Sequence, residues 1–148
     1  MKYNQTIGEF LQTSKVSDVY IENNYKIPQR DFRCWKKGKW SPPGFVTNLL
    51  IANIRYETLI PSSRVRQINQ NLDEAFSECI GKNIKECSPG EIITSIREFF
   101  QMTPMEFSKN FGVPYSTLRE WERNRRVPKE YALCMFKRIT VYSKEING

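Results

Sequence analysis

The stretch GVPYSTLREWERNRRVP, Gly112 to Pro128, decides how the rest of the chain is read. A Gly-Val turn leads into a short helix that keeps Leu118 and Trp121 on one face. Tyr115, Ser116, Arg119 and Glu120 fall on its other faces, the basic run Arg123-Asn124-Arg125-Arg126 follows, and Pro128 opens the next element. A helix that buries only two positions against its partner leaves the rest of its surface free for a groove.

Upstream, Thr103-Pro104-Met105-Glu106 is a capping box that opens a short helix with Phe107 and Phe111 four apart. Ser88-Pro89-Gly90-Glu91 is another, with proline at the first helical position, ahead of a helix over 91–101 carrying Ile92, Ile93, Ile96, Phe99 and Phe100. Downstream, Pro128 opens a last helix with Tyr131, Ala132, Met135, Phe136 and Ile139 inward. Near the N-terminus Thr6 and Glu9 form a third capping box, with Ile7, Phe10 and Leu11 at helical spacing. A break at Thr13-Ser14-Lys15 precedes a helix opened by Ser17 with Val19, Ile21 and Tyr25. Ile27-Pro28 starts a third, with Phe32 and Trp35 three apart and Gly38 as its stop, and Phe45, Val46, Leu49, Leu50 and Ile54 continue as a fourth. No stretch alternates with a period of two, so the chain is predicted to be all-α.

Shifting the N-terminal half by 86 positions lays Ser17 onward on the C-terminal half without a gap: Asn24 on Asn110, Pro28 on Pro114, Arg33 on Arg119, Trp35 on Trp121 and Pro42 on Pro128. A shift of 89 matches the first helices, Ile7 with Ile96 and Phe10 with Phe99, and the difference of three falls on Thr13-Ser14-Lys15. The predicted organisation is two tandem modules, 1–58 and 88–148, joined by a connector over 59–87. In the connector Val65, Ile68, Leu72, Ala75, Phe76, Cys79 and Ile80 give one amphipathic helix ending at Gly81. The spacing fits a helix packed on the modules, or a seam over 64–80 that pairs two chains.

Residues 103–139 resemble the Xre/Cro-type helix-turn-helix family, and within it HigA-type antitoxin regulators. Glu106-Phe107, Phe111-Gly112-Val113, Thr117-Leu118, Trp121-Glu122, Arg125-Arg126, Pro128, Ala132-Leu133 and Ile139 stand at the positions of the family's pattern. The resemblance implies that the helix after the turn enters the DNA major groove. Tyr115, Ser116, Arg119 and Glu120 are then candidate base readers, and Thr103, Arg123, Arg125 and Arg126 candidate phosphate contacts. Pro114 stands where the family commonly has a Ser or Thr cap, and Pro104 where it often has Gln. The N-terminal copy presents Gln29, Arg30 and Arg33 as readers and Lys36, Lys37 and Lys39 as phosphate contacts; Arg and Gln suit guanine and adenine edges. It has Lys26 where Gly112 makes the turn, a place that favours a left-handed backbone, and Cys34 in place of Glu120.

Charge agrees with a polyanion partner. The net +7 splits into +5 over 1–56, −1 over 57–87 and +3 over 88–148, so the excess sits in the two modules. The chain has no His and no Gly-rich phosphate loop, which removes imidazole-based catalysis and argues against an enzyme. Cys34, Cys79, Cys87 and Cys134 form no C-x-x-C pair and read as buried, reduced thiols, with no metal or cofactor expected. No apolar run approaches the roughly 20 residues that span a bilayer. The N-terminal MKYNQTIGEFLQTSK lacks a signal core, so a cytoplasmic location is expected. The function expected is a sequence-specific DNA-binding transcriptional regulator that acts as a monomeric pseudo-dimer, or as a homodimer through 64–80. The alternative is the same scaffold used on a protein partner, as an antitoxin against a toxin or as a phage-encoded inhibitor.

Overall fold

Three capping boxes open three of the helices. Thr6, Ser88 and Thr103 each accept a hydrogen bond from the backbone three residues on, and Glu9, Glu91 and Glu106 reach back to the cap. The computed structural model describes residues 6–14 and 16–148. The first five residues and Lys15, which belongs to the break read at Thr13-Ser14-Lys15, lie outside them. The described chain is all-α: α1 (Ile7–Thr13), α2 (Asp18–Tyr25), α3 (Gln29–Lys37), α4 (Gly44–Glu57), α5 (Ser62–Gln70), α6 (Leu72–Ile80), α7 (Pro89–Phe99), α8 (Pro104–Phe111), α9 (Tyr115–Glu122) and α10 (Glu130–Asn147), with a 3-10 turn at Ile84–Glu86. Among these residues no helix is long and apolar enough to cross a membrane.

The register of 86 extends to backbone geometry. Lys26 ends α2 at φ +57° and Gly112 ends α8 at φ +73°. Gly38 ends α3 at φ +76°, and Asn124, its equivalent after α9, stands at φ +58°. Glycine adopts this left-handed region without a Cβ clash, Asn tolerates it, and Lys is held there against preference. Within each half α1 packs on α3 as α7 packs on α9. Phe32 and Trp35 are buried under α3, as are Leu118 and Trp121 under α9.

The first helices obey a different register from the predicted 89. A Cβ on Gly8 would lie 3.1 Å from the Trp35 carbonyl oxygen, and one on Gly90 would lie 2.6 Å from that of Trp121. Trp35 and Trp121 are equivalent, so Gly8 is the counterpart of Gly90, at a shift of 82. That shift also superimposes the capping boxes, Thr6 with Ser88 and Glu9 with Glu91. The apolar matches at 89 follow from helical periodicity, since a slip of seven residues is two turns and keeps the same face. The length difference lies in the helices themselves: α7 has 11 residues and α1 has 7, about one turn more.

The halves meet through their fourth helices. α4 and α10 pack along each other, α2 touches α10, and α8 touches α4. Phe45 stands edge-on to Trp121 at 5.6 Å, and Trp35 stands edge-on to Tyr131 at 5.4 Å. Phe45 and Tyr131 are equivalent, as are Trp35 and Trp121, so each half offers the same ring to the same pocket of the other. This reciprocity defines an isologous interface about a pseudo-two-fold axis inside one chain. The starts of α4 and α10 line one cavity, and near the other end Tyr142 of α10 donates to Glu57 of α4 at 2.6 Å. The two helices therefore run side by side in the same sense.

The connector departs from the expected single helix. It breaks at Asn71 (φ −135°, ψ 40°) into α5 and α6. The Asn71 N–H turns to the Gln67 and Ile68 carbonyls, and its side-chain amide also donates to Gln67. A short amide side chain competing with the helix ladder in this way favours a break. The bend lays α6 along α10 and against α7. Val65, Ile68 and Phe76 are buried, and the half-buried Leu72, Ala75 and Cys79 pack against the same core, so the seam over 64–80 faces the core of its own chain. Val19, expected inward, is 65% exposed; Ile21 and Tyr25 alone carry the buried face of α2. The last helix begins at Glu130, after the buried Pro128, and α7 ends at Phe99, ahead of Phe100 and Gln101.

Candidate nucleic-acid interface

The outward faces of α3 and α9 correspond position by position. Gln29 and Tyr115, Arg30 and Ser116, and Lys37 and Arg123 are exposed pairs in the register of 86. Arg33 is exposed, and its equivalent Arg119 is half-buried. The helices stand this way because Phe32, Trp35, Leu118 and Trp121 hold their opposite faces in the core. Pro28 and Pro114, with nearly identical backbones (φ −55° and −54°), set the entry of each helix. Neither donates a side-chain cap, so the first-turn N–H groups of both helices point outward without one.

The expected readers differ in freedom. Arg119 meets Glu122 at 3.4 Å, and Glu120 meets Arg126 at 3.4 Å, so both are steered by neighbours. Glu122 is itself nearly buried and accepts from Arg97 at 2.8 and 3.0 Å and from Thr94 at 3.0 Å, which latches α9 to α7. In the N-terminal half Lys36 occupies the place of Glu122 and pairs with Asp18 of α2 at 2.7 Å. Lys36 thus turns toward α2, away from the exposed set of Gln29, Arg30 and Arg33. Arg30 lies 6.0 Å from the ring of Trp40, which is 44% exposed in the loop after α3. Arg123, Arg125, Arg126, Lys37 and Lys39 are all exposed beside the ends of the two helices. Thr103 is exposed, but its hydroxyl and N–H are engaged with Glu106. The Thr103 backbone hydrogen bond, then its side chain, holds the Glu106 carboxyl below its usual value. A carboxylate at this helix start opposes a phosphate there.

The far end of the α4–α10 seam carries a cluster that the sequence does not announce. Glu57 Oε1 accepts from the hydroxyls of Tyr142 (2.6 Å), Tyr25 (2.7 Å) and Tyr20 (3.1 Å). Arg138, 2% exposed, donates to the Asn24 carbonyl from Nε and Nη2, to the Tyr142 hydroxyl and to Asn69. Its guanidinium lies 4.7 Å from the Tyr25 ring centre. Burial first, and then the neighbouring Glu57 charge, raise the Tyr25 hydroxyl well above its ordinary pKa. Burial also raises those of Tyr20 and Tyr142. The cluster ties α2, α4, α5 and α10 into one body and contributes no outward-facing group to the candidate interface.

Cys34, Cys79 and Cys87 are half-buried and Cys134 is buried; all four are free thiols, and no cluster of metal-ligating side chains is present among the described residues. No protein family, curated protein or solved structure matches the chain.

Proposed function

We propose that the chain is a double-stranded-DNA-binding transcriptional regulator of the helix-turn-helix type that carries both of its reading units in one polypeptide. The observation that supports it best is the pairing of exposed polar faces on α3 and α9 across a pseudo-two-fold axis. Each face is backed by an equivalent tryptophan that contacts the opposite half. Duplex DNA has local two-fold symmetry along its length, so two inverted readers suit two inverted half-sites about one helical turn apart. In this reading Gln29, Arg30, Arg33, Tyr115, Ser116 and Arg119 approach base edges, while Arg123, Arg125, Arg126, Lys37 and Lys39 neutralise phosphates. The half-sites are inverted in direction but different in sequence, because Gln29 and Arg30 face one and Tyr115 and Ser116 the other. Burial of Val65, Ile68 and Phe76 within the chain supports one chain per site over a pair joined by the connector.

Selection of bound sequences, followed by footprinting and the mass of the complex, tests this. One chain on two inverted, unequal half-sites is the expected result. Direct repeats, or two chains on a true palindrome, would refute it. Arg33→Ala and Arg119→Ala should each cost about 1–3 kcal/mol on the selected site and relax preference within one half-site only. Arg125→Ala should weaken binding to all sequences and lower the salt slope by about one. The second reading, a scaffold that grips a protein partner such as a toxin, draws on the Glu106 carboxylate at the start of α8. No duplex binding even at low salt would favour it.

A further inference from the structure

A cavity of about 480 Å³ opens where the two halves meet, beside the start of α9 and between the first turns of α4 and α10. It is a size at which small-molecule sites occur, roughly 300–1,000 Å³, and a junction between structural units is a common place for one. Its floor is aromatic and comes from both halves: Phe45 from α4, Trp121 from α9 and Tyr131 from α10. Val127, 68% exposed, lies at its margin with Pro43. The only charged side chains among the described residues lining it are Arg126 and Lys129, both exposed cations. Arg126 has Glu120 at 3.4 Å, but Glu120 is not part of the lining.

The cavity also marks where the two halves depart from their pseudo-symmetry. Lys26, Asp31 and Trp40 stand at the positions equivalent to Gly112, Thr117 and Arg126. The equivalent place on the other side of the axis thus brings a longer chain for the glycine, a carboxylate for the hydroxyl and an indole for the guanidinium. Lys26 there is also paired with Glu130 at 3.5 Å. An apolar, aromatic floor with a cationic rim favours a flat apolar ligand bearing one negative charge.

We propose that this seam cavity binds a small aromatic monoanion, its ring system against Phe45, Trp121 and Tyr131 and its anionic group at Arg126 and Lys129. The site does not rest on the DNA reading, and neither outcome for duplex binding decides it. The probe is anilinonaphthalene sulfonate, compared with phenylnaphthylamine, the same ring system without the sulfonate. The full chain should bind one sulfonate probe saturably, and the neutral analogue about tenfold more weakly. Amide shift changes should be confined to residues 43–46, 112–121 and 126–132. Lys129→Glu, a surface change, should weaken the sulfonate probe about tenfold and leave the neutral analogue unchanged. Thr117→Trp should abolish both by filling the cavity, with helicity checked by circular dichroism; if that variant does not fold, the shift map on the unaltered chain decides the location. Shift changes spread over the chain, several probes per chain, or equal binding of the two probes would overturn the proposal.

Discussion

Lys26 sits at φ +57°, in a turn where its equivalent is Gly112, and an L side chain there carries about 1 kcal/mol of backbone strain. Its ion pair with Glu130, at 3.5 Å between largely exposed side chains, returns at most a few tenths of a kcal/mol. Lys26→Gly should therefore stabilise the chain by about 0.5–1 kcal/mol, read as a higher denaturant midpoint at unchanged slope. A lower midpoint would mean the turn is not strained. Gly90 makes the opposite case. A Cβ there would meet the Trp121 oxygen at 2.6 Å and the Glu122 oxygen at 2.8 Å, and both are backbone atoms that move only with α9. Gly90→Ala should cost about 1–3 kcal/mol, and more than Gly8→Ala, whose nearest contact is 3.1 Å. The Lys26 turn was legible because the repeat aligned it with a glycine. The pairing of Gly8 with Gly90 was not, because two turns of slip preserve an apolar face, and only the approach of the tryptophan carbonyls distinguishes the registers.

Helices were legible wherever caps and three-and-four spacing agreed, as in α1, α7 and α8. The break at Asn71 was not, since the apolar stripe runs through it without a fault and only backbone bonding by the amide divides α5 from α6. The Glu57 cluster was hidden for another reason: Glu57, Tyr20, Tyr25, Asn69, Arg138 and Tyr142 come from four helices, and no local pattern joins them. Its chemistry gives a pH prediction. Tyr20, Tyr25 and Tyr142 all keep their protons above the ordinary tyrosine value in the folded chain. Below about pH 10 both folded and unfolded states hold these protons, and their contribution to stability is constant. Above it the unfolded chain loses protons that the fold retains, so stability falls by about 1.4 kcal/mol per pH unit for each such tyrosine. Urea unfolding between about pH 9 and 11 should show this decline beginning near 10. Tyr142→Phe should make it shallower, and should cost about 1–3 kcal/mol at neutral pH because Arg138 and Glu57 each lose a buried partner. A pH-independent plateau through this range would mean the hydroxyls are not sequestered.

At the scale of the whole molecule, the sequence suggests two modules joined by a connector, while the structure joins the two halves along α4 and α10. That difference could not be read from sequence, because the inward residues of a fourth helix look the same whether they face their own module or its twin. Leu49, Leu50, Ile51 and Ala52 are all buried along α4, and Met135, Phe136, Ile139 and Val141 along α10. Faces this wide exceed what one three-helix partner covers. Each half thus covers apolar surface of the other across the division at 58 and 88. A polypeptide of residues 88–148 alone would expose the ring faces of Trp121 and Phe136 that Phe45 now covers at 5.6 and 6.3 Å. Two outcomes follow from that exposure: the fragment fails to fold, or two copies pair α10 against α10, cover the rings and replace the pseudo-two-fold axis with a true one. Phe45→Ala in the full chain should accordingly destabilise both halves together, by about 1–3 kcal/mol because Phe45 is only half-buried, in one cooperative transition seen alike by near- and far-ultraviolet circular dichroism. Sedimentation of the fragment beside its circular dichroism distinguishes the cases. A helical monomer with its own cooperative melt would show that α10 does not need α4, and the interface between the halves would then be a contact of two finished domains.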